Sequence, residues 1–165
     1  MKGVFGAGLA AALALPASAA AAEASIIKNP GDHPAYKVDL EPHLLFGFGN
    51  FGRDGVPGAG VQATFIVVQD GFIKTINDNV GIGVGANFFF GNPAVIGIPV
   101  VMQWNFFLST HWSAFGEPGV GVAAGDRVVL YPIFAGGGRY HFTEKIALTM
   151  RVGYPWLAVG VSFLF

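Results

Sequence analysis

From Tyr36 to Phe165, apolar residues alternate with small or polar ones in short runs broken by glycine, proline and asparagine. The clearest case is the last. Ile146, Leu148, Met150 and Val152 alternate with Ala147, Thr149, Arg151 and Gly153. After a Tyr154-Pro155 turn, Leu157, Val159, Val161, Phe163 and Phe165 alternate with Trp156, Ala158, Gly160, Ser162 and Leu164. Strict period-two alternation marks a strand whose two faces meet different surroundings. Here one face is large and apolar, and the other is small or polar with a single arginine.

The same pattern predicts six strands upstream, over residues 37–49, 58–69, 79–90, 97–108, 112–124 and 129–142. The segment 97–108 has the cleanest apolar row: Ile98, Val100, Met102, Trp104, Phe106 and Leu108. Residues 50–57 and 70–78 read as turns by their Gly, Asp and Pro content. Eight segments at about 16 residues each suit tilted strands of about 9–11 residues with short connections. The expected fold is all-β: an eight-stranded antiparallel up-and-down transmembrane β-barrel spanning residues 36–165.

Composition explains why the apolar row faces outward. Hydrophobic residues make up 53% of the chain and charged residues 12%, against about a quarter charged in soluble domains. A lipocalin-like barrel or a β-sandwich would need a charged exterior that this chain lacks. Beyond the N-terminus no run reaches the roughly 20 apolar residues of a spanning helix, and a closed barrel is the other structure that satisfies its backbone within lipid. Phe46, Phe88, Trp104, Phe106 and Trp112 are therefore expected to face lipid or its interface, since exposed to water they would form one contiguous apolar band. The chain has no cysteine, which excludes disulfides, thiolate metal sites and a lipidated N-terminal cysteine. A net charge of -1 without a basic run excludes nucleic acid as a partner.

Residues 1–22 carry Lys2, an uncharged run to Leu15, Pro16 and then small residues. That order is the one of a cleaved signal peptide, with cleavage after Ala19 or Ala22. Residues 23–35 hold two prolines and mixed charge and are expected to form a flexible periplasmic lead-in.

Three stretches, Leu40–Gly47, Gly138–Leu148 and Ala158–Phe165, resemble the small outer-membrane β-barrels of Gram-negative bacteria, the eight-stranded OmpA/OmpX-like group. The resemblance implies location in the cell outer membrane, with both termini periplasmic and external connections at 50–57, 91–96, 125–128 and 154–156. Outer-membrane lipids would surround the barrel, and periplasmic chaperones and the barrel assembly machinery would handle it during biogenesis. Gly160, Phe163 and Phe165 match the family's C-terminal assembly signal, while Ala158 stands where a polar residue is preferred. External connections this short argue against host attachment.

Glu41, Glu117, Arg139 and Arg151 share the inward face. Charges inside a narrow barrel are costly unless paired, so these four are expected to form an internal ion-pair network, acting as a plug or as a gate. Gly81, Gly83, Gly85, Gly119, Gly121 and Gly137 either leave room for water or let the walls meet. An eight-stranded interior is only wide enough for side chains to fill, which excludes a wide porin.

His111-Trp112-Ser113 resembles the His-x-Ser of outer-membrane lipid A deacylases, but Ala114 replaces the usual asparagine. Glu117 would lie more than about 13 Å along the strand from Ser113, so His111 reads as a turn histidine beside an interfacial Trp112. His33, His43 and His141 have no metal-ligand spacing, and neither a metal nor a cofactor is expected. The reading is a non-enzymatic barrel of structural or membrane-maintenance type with a polar, mostly filled lumen. A narrow pore for small solutes or ions comes second and a lipid A-modifying enzyme a distant third. The pattern leaves the oligomeric state open.

Overall fold

The computed structural model describes residues 24–49 and 51–165; the expected signal peptide, residues 1–22, lies outside them. Eight strands follow in chain order: β1 (Val38–Gly49), β2 (Gly52–Val68), β3 (Asp78–Phe89), β4 (Val95–Phe107), β5 (Trp112–Ala124), β6 (Val128–Thr143), β7 (Ile146–Tyr154) and β8 (Trp156–Leu164). Each pairs antiparallel with the next, and β8 returns to β1, with Leu40 opposite Phe163 and His43 opposite Gly160. The sheet is thus a closed barrel without edges.

The largest departure from the sequence expectation is at β2, which begins at Gly52 and not near 58. The ladder continues through the Gly-, Asp- and Pro-rich stretch, with Gly47 opposite Val56 and Phe46 opposite Pro57. Glycine absorbs the local geometry. Gly55 adopts a positive φ of 81°, and a side chain there would also collide with the Phe46 ring. The connection expected over 50–57 shrinks accordingly to 50–51, and those at 90–94, 125–127 and 155 are also short. They share the far end of the barrel. Val38, Leu164 and the 69–77, 108–111 and 144–145 connections lie at the near end.

The two faces sort as the alternation requires. Leu44, Phe46, Phe65, Phe88, Ile98, Val120, Leu130, Phe134, Val152, Val159 and Phe165 point outward and are exposed. Burying one such side chain is worth about 1.5–3 kcal/mol, so this surface in water would forfeit a sum well beyond a domain's net stability. Trp104 is half-buried because its indole N–H donates to Asp78 Oδ2 at 2.7 Å and its ring packs against Phe72. Trp112 meets Tyr140 edge-on at 5.1 Å.

Inside, the glycines let the walls meet. A side chain at Gly121 would strike the Tyr131 ring, and one at Gly137 would strike the Phe115 ring. Bare backbone at these points makes the space that neighbouring aromatics occupy. The outward-facing Gly116 contrasts with them, since a Cβ there would meet nothing within 4 Å.

Residues 24–35, expected as a flexible lead-in, take a defined path across the near end. The Ile26 N–H donates to Leu108 O at 3.0 Å, and Asn77 N–H donates to Ile27 O at 2.7 Å. Asn77 Nδ2 donates to Asp32 O at 2.8 Å, and the His33 ring stacks on Phe107 with centroids 4.5 Å apart. Two prolines and mixed charge concealed the reason: Ile26 and Tyr36 are apolar anchors, buried with Phe107 and Leu164.

Candidate functional site

The described interior is built in three layers. Nearest the chain termini, Ile26, Tyr36, Phe107 and Leu164 form a small apolar lid. The far end is closed by Leu45, Phe51, Phe89, Val101, Tyr131, Ile133 and Trp156. Phe51 stacks on Phe89 at 4.0 Å and meets Tyr131 edge-on at 5.1 Å. The lumen, expected to be polar and mostly filled, is polar only in part, because its far end is an aromatic plug. Leu45, Phe89, Tyr131, Ile133 and Trp156 reach it from the inward positions of four different strands. Phe51 comes from the stretch that composition assigned to a loop.

Between the two apolar layers lies the ionic one. Arg151, from the middle of β7, sits between Glu41 of β1 and Glu117 of β5. Its Nη1 and Nη2 donate to Glu41 Oε1 and Oε2 at 2.8 and 3.1 Å. Its Nε and Nη2 donate to Glu117 Oε2 and Oε1 at 2.5 and 3.1 Å. Two-pronged contacts of a planar guanidinium with carboxylates are among the strongest polar contacts available. All three side chains are buried, where Coulomb attraction must offset a large desolvation cost.

Arg139 was expected in the same cluster with the two glutamates, but it has a different carboxylate. Its Nη2 donates to Asp39 Oδ2 at 2.6 Å and to Gln103 Oε1 at 2.9 Å, and Nη1 donates to Asn105 Oδ1 at 2.7 Å. The two ion pairs join through an amide, because Gln103 Nε2 donates to Glu117 Oε1 at 2.6 Å. Gln62 Nε2 donates to the same oxygen at 3.1 Å. Phe115 lies under both cations, with guanidinium carbons 4.8 Å (Arg139) and 5.4 Å (Arg151) from its ring centre, a favourable cation–π placement. Asp39, Gln62, Gln103 and Asn105 are the members that sequence reasoning left out. Asp39 shares the inward parity of Glu41 on β1, and that parity was the available signal.

The His111-Trp112-Ser113 triplet resolves differently from its sequence reading. Ser113 Oγ lies 2.9 Å from Nε2 of His141, and the His111 carbonyl accepts the His141 backbone N–H at 2.7 Å. Ser113 and His141 are both buried, and His141 Nδ1 has no hydrogen-bond partner. A nucleophilic serine needs a base oriented by a third group, and none stands at Nδ1. Among the described residues, no group of three His, Asp or Glu is placed to hold a metal.

No family model matches the chain, and no curated protein does either. Solved structures do. The chain is similar to a de novo designed transmembrane β-barrel at 14% identity, covering 84% of this chain and 99% of that one, with a TM-score of 0.53. It is similar to Ail of Yersinia pestis at 9% identity, covering 81% and 99%, with a TM-score of 0.53. It is also similar to the N-terminal β-barrel domain of Pseudomonas aeruginosa OprF at 13% identity, covering 79% and 100%, with a TM-score of 0.52. At these identities the likeness speaks for the fold: the chain is an eight-stranded transmembrane β-barrel. Within that class it has the shape of the small barrels that include Ail, an outer membrane protein, with an interior occupied by side chains.

Proposed function

We propose that the chain is an integral outer-membrane protein serving a structural or membrane-maintenance role: a barrel that is a sealed element of the membrane and not a conduit through it. One observation carries this reading. The ionic layer of Glu41, Glu117, Arg151, Arg139 and Asp39 is stacked between an apolar lid and an aromatic plug. A solute would have to displace buried ion pairs and packed rings in turn. The outer-membrane setting rests on the likeness to barrels such as Ail and on the export signal read in residues 1–22. The near end is then periplasmic, with outer-membrane lipids around the apolar band.

Recording from the refolded protein in planar bilayers tests the sealed reading. The expected result is a flat trace at all moderate voltages. Discrete current steps of reproducible size would establish the narrow pore instead.

The C-terminal strand serves as the assembly address, with Gly160, Phe163 and Phe165 as its recognised residues and the barrel assembly machinery and periplasmic chaperones as partners. Phe165 also closes the seam, because its carbonyl accepts N–H groups of Lys37 and Val38 and its own N–H donates to Val38 O at 2.9 Å. Deleting Phe165 should therefore lower outer-membrane levels severalfold, measured by fractionation and immunoblotting, while precursor processing continues. Wild-type levels of the truncated form would sink this assignment.

A further inference from the structure

We propose that residues 24–35 form a strap-like lid over a water-holding compartment, the near half of the barrel interior. Among the described residues, nine buried side-chain nitrogen or oxygen atoms have no hydrogen-bond partner in the protein. Six of them gather at this end: Tyr36 Oη, Asp39 Oδ1, Asn77 Oδ1, Asn79 Nδ2, Arg139 Nε and His141 Nδ1. A buried polar group left unsatisfied is costly, and ordered water is what satisfies such groups inside proteins.

The amide orientations are fixed by neighbours that cannot be reversed. Arg139 Nη1 only donates, so the Asn105 atom 2.7 Å from it is Oδ1. Asn105 Nδ2 then donates to Asn79 Oδ1 at 2.7 Å, which leaves Asn79 Nδ2 as the spare donor. The Asp32 carbonyl likewise takes Asn77 Nδ2 as its donor and leaves Oδ1 spare.

These groups are neighbours. Asp39 holds Arg139 at 2.6 Å, and Arg139 leads through Asn105 to Asn79. Tyr36 packs with Leu164, which stands opposite Asp39 in the ladder. Together they offer an acceptor, two donors and a hydroxyl that does either, against the roughly two to four partners a buried water takes. The inward residues beside them are short: Thr149 opposite Arg139, Ala147 opposite His141, and Ser162 opposite Ala147.

The strap closes this space from outside. It is fastened to the 108–111 connection by Ile26 and to the 69–77 connection by Ile27, Asp32 and His33, whose Nε2 lies 3.1 Å from Gln69 O. Toward the third connection, at 144–145, a cavity of about 310 Å³ runs beneath it. Glu144 lines the cavity on its outer side, and the buried His141, hydrogen-bonded to Ser113, lines it within. The strap thus covers a route that ends at the polar compartment.

Single cysteines test this, since the chain has none of its own. Ser162→Cys reports on the compartment and Val101→Cys on the far plug. Each protein is refolded into lipid nanodiscs, where both mouths face solvent, and treated with a small charged methanethiosulfonate that needs a hydrated thiol. The outcome therefore does not depend on which end is periplasmic. Position 162 should be modified and position 101 should not. Adding Ile26→Ser, which removes the strap's apolar anchor, should speed modification at 162 about tenfold or more and leave 101 unchanged. The same rate at 162 with and without Ile26→Ser would overturn the lid. Water itself is read by magnetisation transfer from solvent to side-chain amides, with Asn79→Ser supplying the assignment. Transfer is expected at Asn79 and not at Gln62 or Gln103, which are engaged in the ionic layer. An Asn79 amide as silent as those two would overturn the compartment.

Discussion

Replacing Arg151 with alanine should cost about 3–5 kcal/mol of folding stability, because it strands Glu41 and Glu117 in a dry interior. Four hydrogen bonds from one guanidinium disappear together, and Gln62 and Gln103 reach one oxygen of Glu117 alone. Urea titration of the refolded protein in lipid vesicles measures the loss. A companion variant tells repulsion apart from lost packing. Arg151→Met combined with Glu41→Gln and Glu117→Gln removes all three charges, and should recover most of the stability, as neutral replacements of buried ion pairs do elsewhere. Failure of that triple variant to recover would mean that the shape of the cluster matters more than its charge. In planar bilayers Arg151→Ala should stay silent, because the aromatic layer still closes the far end. Steps in that variant alone would make Arg151 a gate.

Phe89→Ala should produce the second large loss, again about 3–5 kcal/mol. Phe89 is completely buried and lies in a slot where side chains at Gly47 or Gly97 would crowd its ring. Phe51 covers one face, and Trp156 is within 6.3 Å. A closed barrel cannot relax into the hole that remains. Phe88→Ala, one residue away on the outward face, opens no cavity and should cost far less under the same titration. Equal losses for the two would contradict the packed plug. Phe89→Ala should also remain non-conducting, since the ionic layer lies beneath it.

The sequence made the strands and their two faces legible because period-two alternation is a local property. Inward Glu41, Gln62, Gln103, Glu117 and Arg151 and outward Phe46, Val61, Phe88 and Val159 all follow from parity alone. Partnership was not legible in the same way. Arg139 meets Asp39 across 100 positions of chain, and alternation says nothing about which inward residues share a level. The far plug was hidden for a related reason. Its members are single inward residues of separate strands, and each looks unremarkable in its own run. Phe51 was obscured by neighbours of loop-like composition, and the order of residues 24–35 by prolines that flank its apolar anchors. In the His111-Trp112-Ser113 triplet, proximity in sequence pointed to the wrong histidine, because adjacent strands bring His141 to Ser113 instead.

The ionic layer also bears on how the barrel comes to be closed. Glu41 and Asp39 belong to the first strand, while their arginines belong to the seventh and sixth, 110 and 100 positions later. Until the first and last strands meet, the inward carboxylates of Asp39 and Glu41 lack their arginines, while Arg151 already has Glu117 of β5. A barrel that is one strand short, or slipped by a residue in register, carries those charges uncompensated and turns them toward lipid. The interior thereby acts as a proofreading step, in which only the complete and correctly registered cylinder can discharge its own electrostatic debt.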